Sequence, residues 1–488
     1  MRNPCSTHVI PIRLILFFEE ENHLPERDIF CSLSPLDHRY YASNQKLFDK
    51  LAGFFSENAY IQYELKVEGA LAKVLAKRGI CTEAIAAEIA GACAAVRPEE
   101  VYQEEELTKH NIRALVNCIQ RRVSAAARPY VHFTTTSVDI MDSATAMRFK
   151  EATMVLVIPK CLELEKILVE IARREKATLQ VGRTHGQHAV PITFGFAMAE
   201  YVSRFGARIQ LIKETAANLR GKIAGAVGAY NASSLFFDDP FQFEADVLAE
   251  LGLKPANYSN QIVEPEYLTD YIHAIISAFG VLANLADDIR HLQRSEIGEV
   301  GEIFEATQVG SSTMPHKRNP WNFEHVKSMW KEFMPRMITL YADQISEHQR
   351  DLTNSASGRF VPEIVVGFVA AVDRLCKVLQ RLVVDQERMG RNFDSAKEMI
   401  IAEPLYILLA SLGHPDAHEV VRVLTLESQK TGKVLRELIK GKAELLPYLE
   451  KMNPEQRAVL ESPEKYRGWA EQKTVQVCDE WEKRLLTQ

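Results

Sequence analysis

The sequence predicts an all-α protein in three sections, with a central bundle of long helices shared between subunits. Three observations predict it. Five long stretches carry an apolar residue every three to four positions, sheet patterning is weak everywhere, and internal repeats and low-complexity tracts are absent. None of the five keeps a clean heptad, so a simple coiled coil is disfavoured. Stretches far beyond the ~11–12-residue mean helix, apolar on more than one stripe, suit helices packed on several sides.

Taken in order, residues 1–30 read as an extension of unassigned role. Val9 to Phe18 is apolar but interrupted by Pro11 and Arg13 and followed by Glu19, Glu20 and Glu21, a poor signal peptide and too short for a membrane span. Residues 31–135 hold shorter helical patterns broken by Pro35, Gly79 and Pro98. The central section, 136–389, contains the long stretches: Ser143 to Thr178, Phe194 to Leu219, Leu268 to Leu292, Phe323 to Gln349 and Val361 to Met389. In the third, Leu268, Ile272, Ile275, Phe279, Leu282, Leu285, Ile289 and Leu292 step by three and four without a proline. Residues 390–488 hold short helices separated by Pro415, Pro447, Pro454 and Pro463.

Composition narrows the function. The chain has 488 residues, is 47% hydrophobic and 25% charged, and carries a formal charge of −7, so nothing draws it globally to nucleic acid or anionic lipid. Its eight cysteines are scattered without a C-x-x-C pair, which suits reduced thiols in a cytoplasmic protein and provides no zinc framework. Nucleotide-triphosphate, dinucleotide and zinc-protease motifs are absent.

The unusual residues lie between the long stretches. Gly310 to Pro320 reads GSSTMPHKRNP: serines after a glycine, two stiffening prolines, and local positive charge from His316, Lys317 and Arg318. It reads equally as a solvated basic turn before the next helix. Gly182 to Pro191 (GRTHGQHAVP) places His185 where a long helix is expected to end, a position for a titrating group or for a helix C-terminal cap. Tyr130 to Asp142 (YVHFTTTSVDIMD) offers four successive hydroxyls, with N-capping as the commoner explanation. His348 to Arg359 (HQRDLTNSASGR) spaces Arg350, Ser355 and Arg359 for an anion clamp or for a solvated loop.

Together these segments resemble the fumarase/aspartase superfamily, lyases that cleave C–N or C–O bonds and release fumarate. Within it the chain is similar to the adenylosuccinate lyases, through LSPLDHRY (33–40), KHN (109–111), HFTTTSVD (132–139), GRTHGQH (182–188), GKIAGAVGAYNA (221–232), QIVEP (261–265), the 310–320 segment and QRDLTNS (349–355), all in the family's order. The resemblance implies a homotetramer with active sites shared between subunits, a succinylated purine nucleotide as substrate, and no metal or organic cofactor. It assigns Ser311 as the base, His185 as the general acid, His110 as a supporting histidine and Lys317 as a carboxylate anchor. Substrate contacts fall to Thr136, Ser137, Thr184, Gln261, Ser312 and Asn319, and the nucleotide phosphate to Arg39, Tyr40, Arg350, Ser355 and Arg359. Argininosuccinate lyases and carboxymuconate cycloisomerases share the superfamily loop, and a non-catalytic protein on the same bundle is the remaining alternative.

Overall fold

A computed structural model describes residues 31–304, 313–314 and 316–486. The extension at 1–30 lies outside the described residues, as do Ser311 and Ser312. The described chain falls into two compact units that divide after Gln45. In the first, a π-turn over Leu36–Tyr40 runs into a short helical turn, α1 (Tyr41–Ser43), and Ser43 Oγ donates to the Arg39 carbonyl at 3.1 Å.

The second unit starts with short helices: α2 (Gln45–Phe55, mostly within it), α3 (Glu57–Lys77), α4 (Glu83–Ala95), α5 (Pro98–Thr108) and α6 (Asn111–Gln120). Their starts are marked by hydroxyls and a proline. Ser56 and Thr82 accept the Ala59 and Ile85 amides, and Pro98 opens α5, where its missing N–H costs nothing.

The long helices follow. α7 (Ser137–Ala152) runs into a π-turn over Thr153–Val157 and on into α8 (Ile158–Arg174) as one helical run. The π-turn lies just before Pro159, whose ring supplies no N–H for an α-helical bond. α7 packs on α3, while α8 packs on α9 (Phe194–Ala217) and α14 (Ser357–Leu379). Between α9 and α14 come α10 (Pro240–Glu250), α11 (Glu266–Leu292), α12 (Trp321–Phe333) and α13 (Met337–Ala342). α11 forms the centre: Tyr271, Ile272, Ile275, Phe279, Leu282 and Leu285 are fully buried. It is long and apolar enough to cross a membrane, yet 67% of its apolar stretch is buried inside the fold.

Two of the expected long stretches are shorter. The one expected over Phe323 to Gln349 breaks at Met334–Arg336, around Pro335, and ends at Ala342. The one expected over Val361 to Met389 ends at Leu379, and Asp385 then caps a separate helix, α15 (Gln386–Ile400). Two small antiparallel sheets also form: β1 (Leu179–Thr184) with β2 (Gln187–Thr193), and β3 (Val300–Gly301) with β4 (Val383–Val384).

The final section comprises α16 (Ala402–Ser411), α17 (Ala417–Thr431), α18 (Leu435–Gly441), α19 (Leu446–Lys451) and α20 (Pro454–Glu461) around a local core of Ile401, Leu405, Leu409, Leu424, Leu435 and Leu445. The last helix, α21 (Ala470–Trp481), returns to the bundle against α8 and α9. A Cβ at Gly206 would collide with the Trp481 indole, so the indole sits directly on the α9 backbone. Arg173 bonds Asp479 at 2.6 Å and Glu482 beside it.

Candidate active site

The first turn of α7 organises one part of the site. Thr136 is its N-cap, and the Asp139 carboxylate reaches back to the Thr136 N–H at 2.8 Å. Asp139 is fully buried and also accepts the Ala224 and Gly225 N–H groups, each at 3.1 Å, and the ammonium of Lys222, itself fully buried. Ser143, one turn on, bonds both the amide and the carbonyl of Lys222. Segment 221–228 is thereby bound to the helix start that presents Thr136 and Ser137.

Gly228 carries the contact onward. Its φ of +74° favours glycine, and a Cβ there would collide with the Ser259 carbonyl. Ser259 opens a tight turn in which Asn260 Oδ1 accepts from Ile262 N at 2.9 Å and Asn260 N donates to the Ile262 carbonyl. At the apex, Gln261 N donates to the Gln349 carbonyl at 3.1 Å, next to Arg350. Asp142 on α7 completes the circuit, accepting from Val263 N at 2.8 Å and interacting electrostatically with Arg350. Loss of hydration pushes its carboxyl up to about 6 against the pull of the Val263 N–H, Lys222 and Arg350. Arg350 Nη1 is buried without a hydrogen-bonding partner. That leaves a guanidinium donor available to an anion.

Beneath this circuit lies a set of buried acids from α3. Glu68 accepts from His132 N at 3.1 Å and pairs with His132 Nδ1 at 2.6 Å. Burial would lower the imidazole, but the charge of Glu68 and the bond to it prevail and hold it above its ordinary value. Glu64, one turn earlier, is pushed up to about 8 by burial. His132 lies in the same short segment as Thr136 and Ser137, and nothing else in the sequence singles it out.

His110 sits beside the same helix. It is the N-cap of α6, its Nδ1 accepting from Arg113 N at 3.2 Å, while Asn111 Nδ2 lies 3.6 Å from Met141 Sδ on α7. Ser355 and Arg359 are exposed on the loop before α14 and on its first turn.

Thr184 and His185 are placed differently from expectation. No long helix ends there: His185 and Gly186 are the two central residues of the β1–β2 hairpin, with φ of +54° and +73°. That is the backbone of a two-residue type I′ hairpin turn, and it leaves Thr184 and His185 exposed. The hairpin is gripped at its stem by Glu299, which is fully buried. Glu299 accepts from Gln180 Nε2 at 2.8 Å, from Arg183 at 2.5 and 3.1 Å, and from Asn392 Nδ2 at 2.8 Å.

Glu299 leads into the segment that contains the serine-rich loop. Glu302 is pushed up by burial and accepts from Asn322 Nδ2 at 2.6 Å and Asn322 N at 3.0 Å, fastening the start of the excursion to the start of α12. Gln293 donates to the Arg318 carbonyl and accepts from Glu302 N. Lys317 N bonds the Met314 carbonyl at 3.0 Å, and the Lys317 side chain is exposed. Asn319 is half-buried.

The chain thus joins Thr136, Ser137, Gln261 and Arg350 through one hydrogen-bonded circuit, with His110 adjacent. Thr184 and His185 stand on a separate hairpin, and Lys317 and Asn319 on a separate loop. Arg39 and Tyr40 belong to the other unit. Among the described residues no cluster of His, Cys, Asp or Glu is arranged to hold a metal ion.

Residues 40–334 match the lyase family, and residues 346–457 match the adenylosuccinate lyase C-terminal family. An adenylosuccinate lyase of Pyrococcus abyssi is 35% identical over 93% of this chain and 100% of its own length. One of Bacillus subtilis is 31% identical over 73% of this chain and 81% of its own. In fold, the chain is similar to a fumarate lyase from Mesorhizobium sp. BNC1 (TM-score 0.77, 23% identity, 88% of this chain and 97% of that one). It is similar too to a 3-carboxy-cis,cis-muconate lactonizing enzyme from Pseudomonas putida (TM-score 0.75, 24% identity, 89% and 97%). With near-complete coverage of such relatives and both halves matched by family, the chain belongs to the adenylosuccinate lyases of the fumarase/aspartase superfamily.

Proposed function

We propose that the chain catalyses β-elimination of fumarate from succinylated purine nucleotides. Adenylosuccinate yields AMP, and succinylaminoimidazole carboxamide ribotide yields the free carboxamide ribotide. The observation that carries the reading is the α7 circuit. It ties a helix N-terminus bearing two hydroxyls to the segment of an arginine with a buried, unpartnered donor, groups that suit a substrate with carboxylates at one end and a phosphate at the other.

In this reading Ser311, ionised in local positive potential, removes the proton next to a succinyl carboxylate. The resulting aci-carboxylate needs cations and N–H donors around it, and Lys317 and Asn319, with Thr136, Ser137 and Ser312, supply them. His185, assisted by Thr184, protonates the departing N6 as the C–N bond breaks. An imidazole, which can both hold and give up a proton, suits that step. His110 supports His185 and substrate, and His132 lies under Thr136 and Ser137 as a further support. Gln261 holds the middle of the substrate, while Arg350, Ser355 and Arg359 take the phosphate. The exposed hairpin tip and the separate loop fit a cytoplasmic homotetramer in which different chains complete each site. The central section 136–389 carries the bundle, flanked by 31–135 and 390–488.

Purified protein with adenylosuccinate should show the ultraviolet change that accompanies loss of the N6 succinyl group. Ser311→Ala should lose at least ~10²–10⁴ of that rate. A tetramer by light scattering with no turnover on either nucleotide would overturn the activity. A monomer that still turns over would overturn the sharing of sites.

A further inference from the structure

Asp142 is the one carboxylate of the α7 circuit whose cation is not already committed. Asp139 holds Lys222 in direct contact, both fully buried. Asp142 has the Val263 N–H, at 2.8 Å, and the field of Arg350. The other groups acting on it are Asp139 on its own helix, Lys222 from the 221–228 segment and Tyr60 from α3. The 259–263 turn contributes the Val263 amide. Asp142 is half-buried, and Arg350 offers a buried Nη1 without an acceptor.

An anion arriving at Arg350 changes this balance in two ways. It takes up the guanidinium charge that favours ionised Asp142, and it adds negative charge close by. Both act against a carboxylate and for a carboxylic acid. The Val263 N–H can still donate to the carbonyl oxygen of the protonated acid, so the turn bearing Gln261 keeps its anchor.

We infer that docking of the nucleotide phosphate at Arg350 is coupled to uptake of one proton from solvent by Asp142, which makes Asp142 a proton-linked positioning residue of the site. The inference rests on the phosphate reading of Arg350. Before binding, Asp142 titrates at about 6, so the uptake occurs above that pH and disappears below it. The affinity for a phosphate ligand then falls as pH rises, by up to ~10-fold per pH unit for one linked proton. The ligand's own second ionisation, near pH ~6, acts in the opposite sense and is nearly complete by pH 7.

The experiment is titration calorimetry with AMP at about pH 7.5 in two buffers of different ionisation enthalpy, on wild type and Asp142→Asn. The wild type is expected to take up about half a proton or more per site, and the variant to bind AMP with none. Equal proton counts in the two proteins would overturn the inference while leaving the phosphate site intact. A wild type that does not bind AMP would overturn the phosphate reading and the coupling with it. Should the variant fail to fold, the wild type alone decides. AMP affinity falling between pH 7 and 8.5 supports the coupling, and affinity flat over that range overturns it.

Discussion

Thr136, Ser137, Gln261 and Arg350 sit on segments that bond to one another within one chain, whereas Thr184 and His185 sit on a turn held only from behind. In the first region, carboxylates one turn apart on α7 collect backbone N–H groups from two distant segments. In the second, Glu299 bonds Gln180 and Arg183 of β1, Val181 packs with Phe393, Ala396 and Ile400 of α15, and the tip stays exposed. The contrast teaches that the circuit is preorganised by its own fold, while the hairpin presents a rigid arm with an open end. The first is a floor built within the chain, the second an arm with an exposed end.

The largest expected effect strikes the floor. Asp139→Asn leaves Lys222 an uncompensated, fully buried cation, and removing one partner of such a pair costs about 3–5 kcal/mol. Combining it with Lys222→Met should recover much of that loss. Denaturant unfolding of both variants checks this, and a single variant as stable as wild type would show that the circuit is not held by charge. The arm is tested by Glu299→Gln, which sets an amide donor against the guanidinium of Arg183 and should cost about 2 kcal/mol. Turnover of adenylosuccinate should fall while AMP affinity stays within about twofold. A matching loss of AMP affinity would mean that the two regions are one.

The smallest effect concerns a third carboxyl on the same helical run. Glu165 on α8 is fully buried with neither oxygen hydrogen-bonded, and burial holds its carboxyl well above the usual range. It is therefore protonated in the fold and ionised when unfolded. Its contribution to stability is complete below its unfolded value near ~4.3 and is lost progressively as pH rises toward its folded value. Glu165→Gln does not titrate, so the variant should gain on wild type by about 1.4 kcal/mol per pH unit above that point. Denaturation midpoints at pH 5 and pH 6, at one protein concentration, measure the gap. A gap that does not widen would mean that Glu165 is hydrated or paired.

The bundle was more legible in the sequence than the arm. The helical period of Leu268 to Leu292 and of Phe194 to Leu219 reports burial directly, and α11 and α9 lie where that pattern sets them. For the start of α7 the sequence offers Asp139 or Asp142 as the cap, whereas the cap is Thr136 and Asp139 closes the capping box three residues on. The hairpin was missed because its strands mix Val181 and Ile192 with Arg183, Gln187 and His188, and because its turn is His-Gly rather than the commoner Asn-Gly or Asp-Gly. Nor could Glu299 be found from sequence. Its donors stand 119, 116 and 93 residues away, and only the tertiary fold brings them together.

The π-turn over Thr153–Val157 gives the long run a second property. Such a turn holds one residue more than the α-turn it replaces, and each residue of an α-helix advances by about 100°. Everything above it is out of phase with everything below, so the face that points Asp139 and Asp142 at the loops is not a continuation of the face that packs α8 on α9 and α14. A single rod thus presents one stripe to the loops and a separate stripe to the core, and the surplus residue in the middle sets the angle between them.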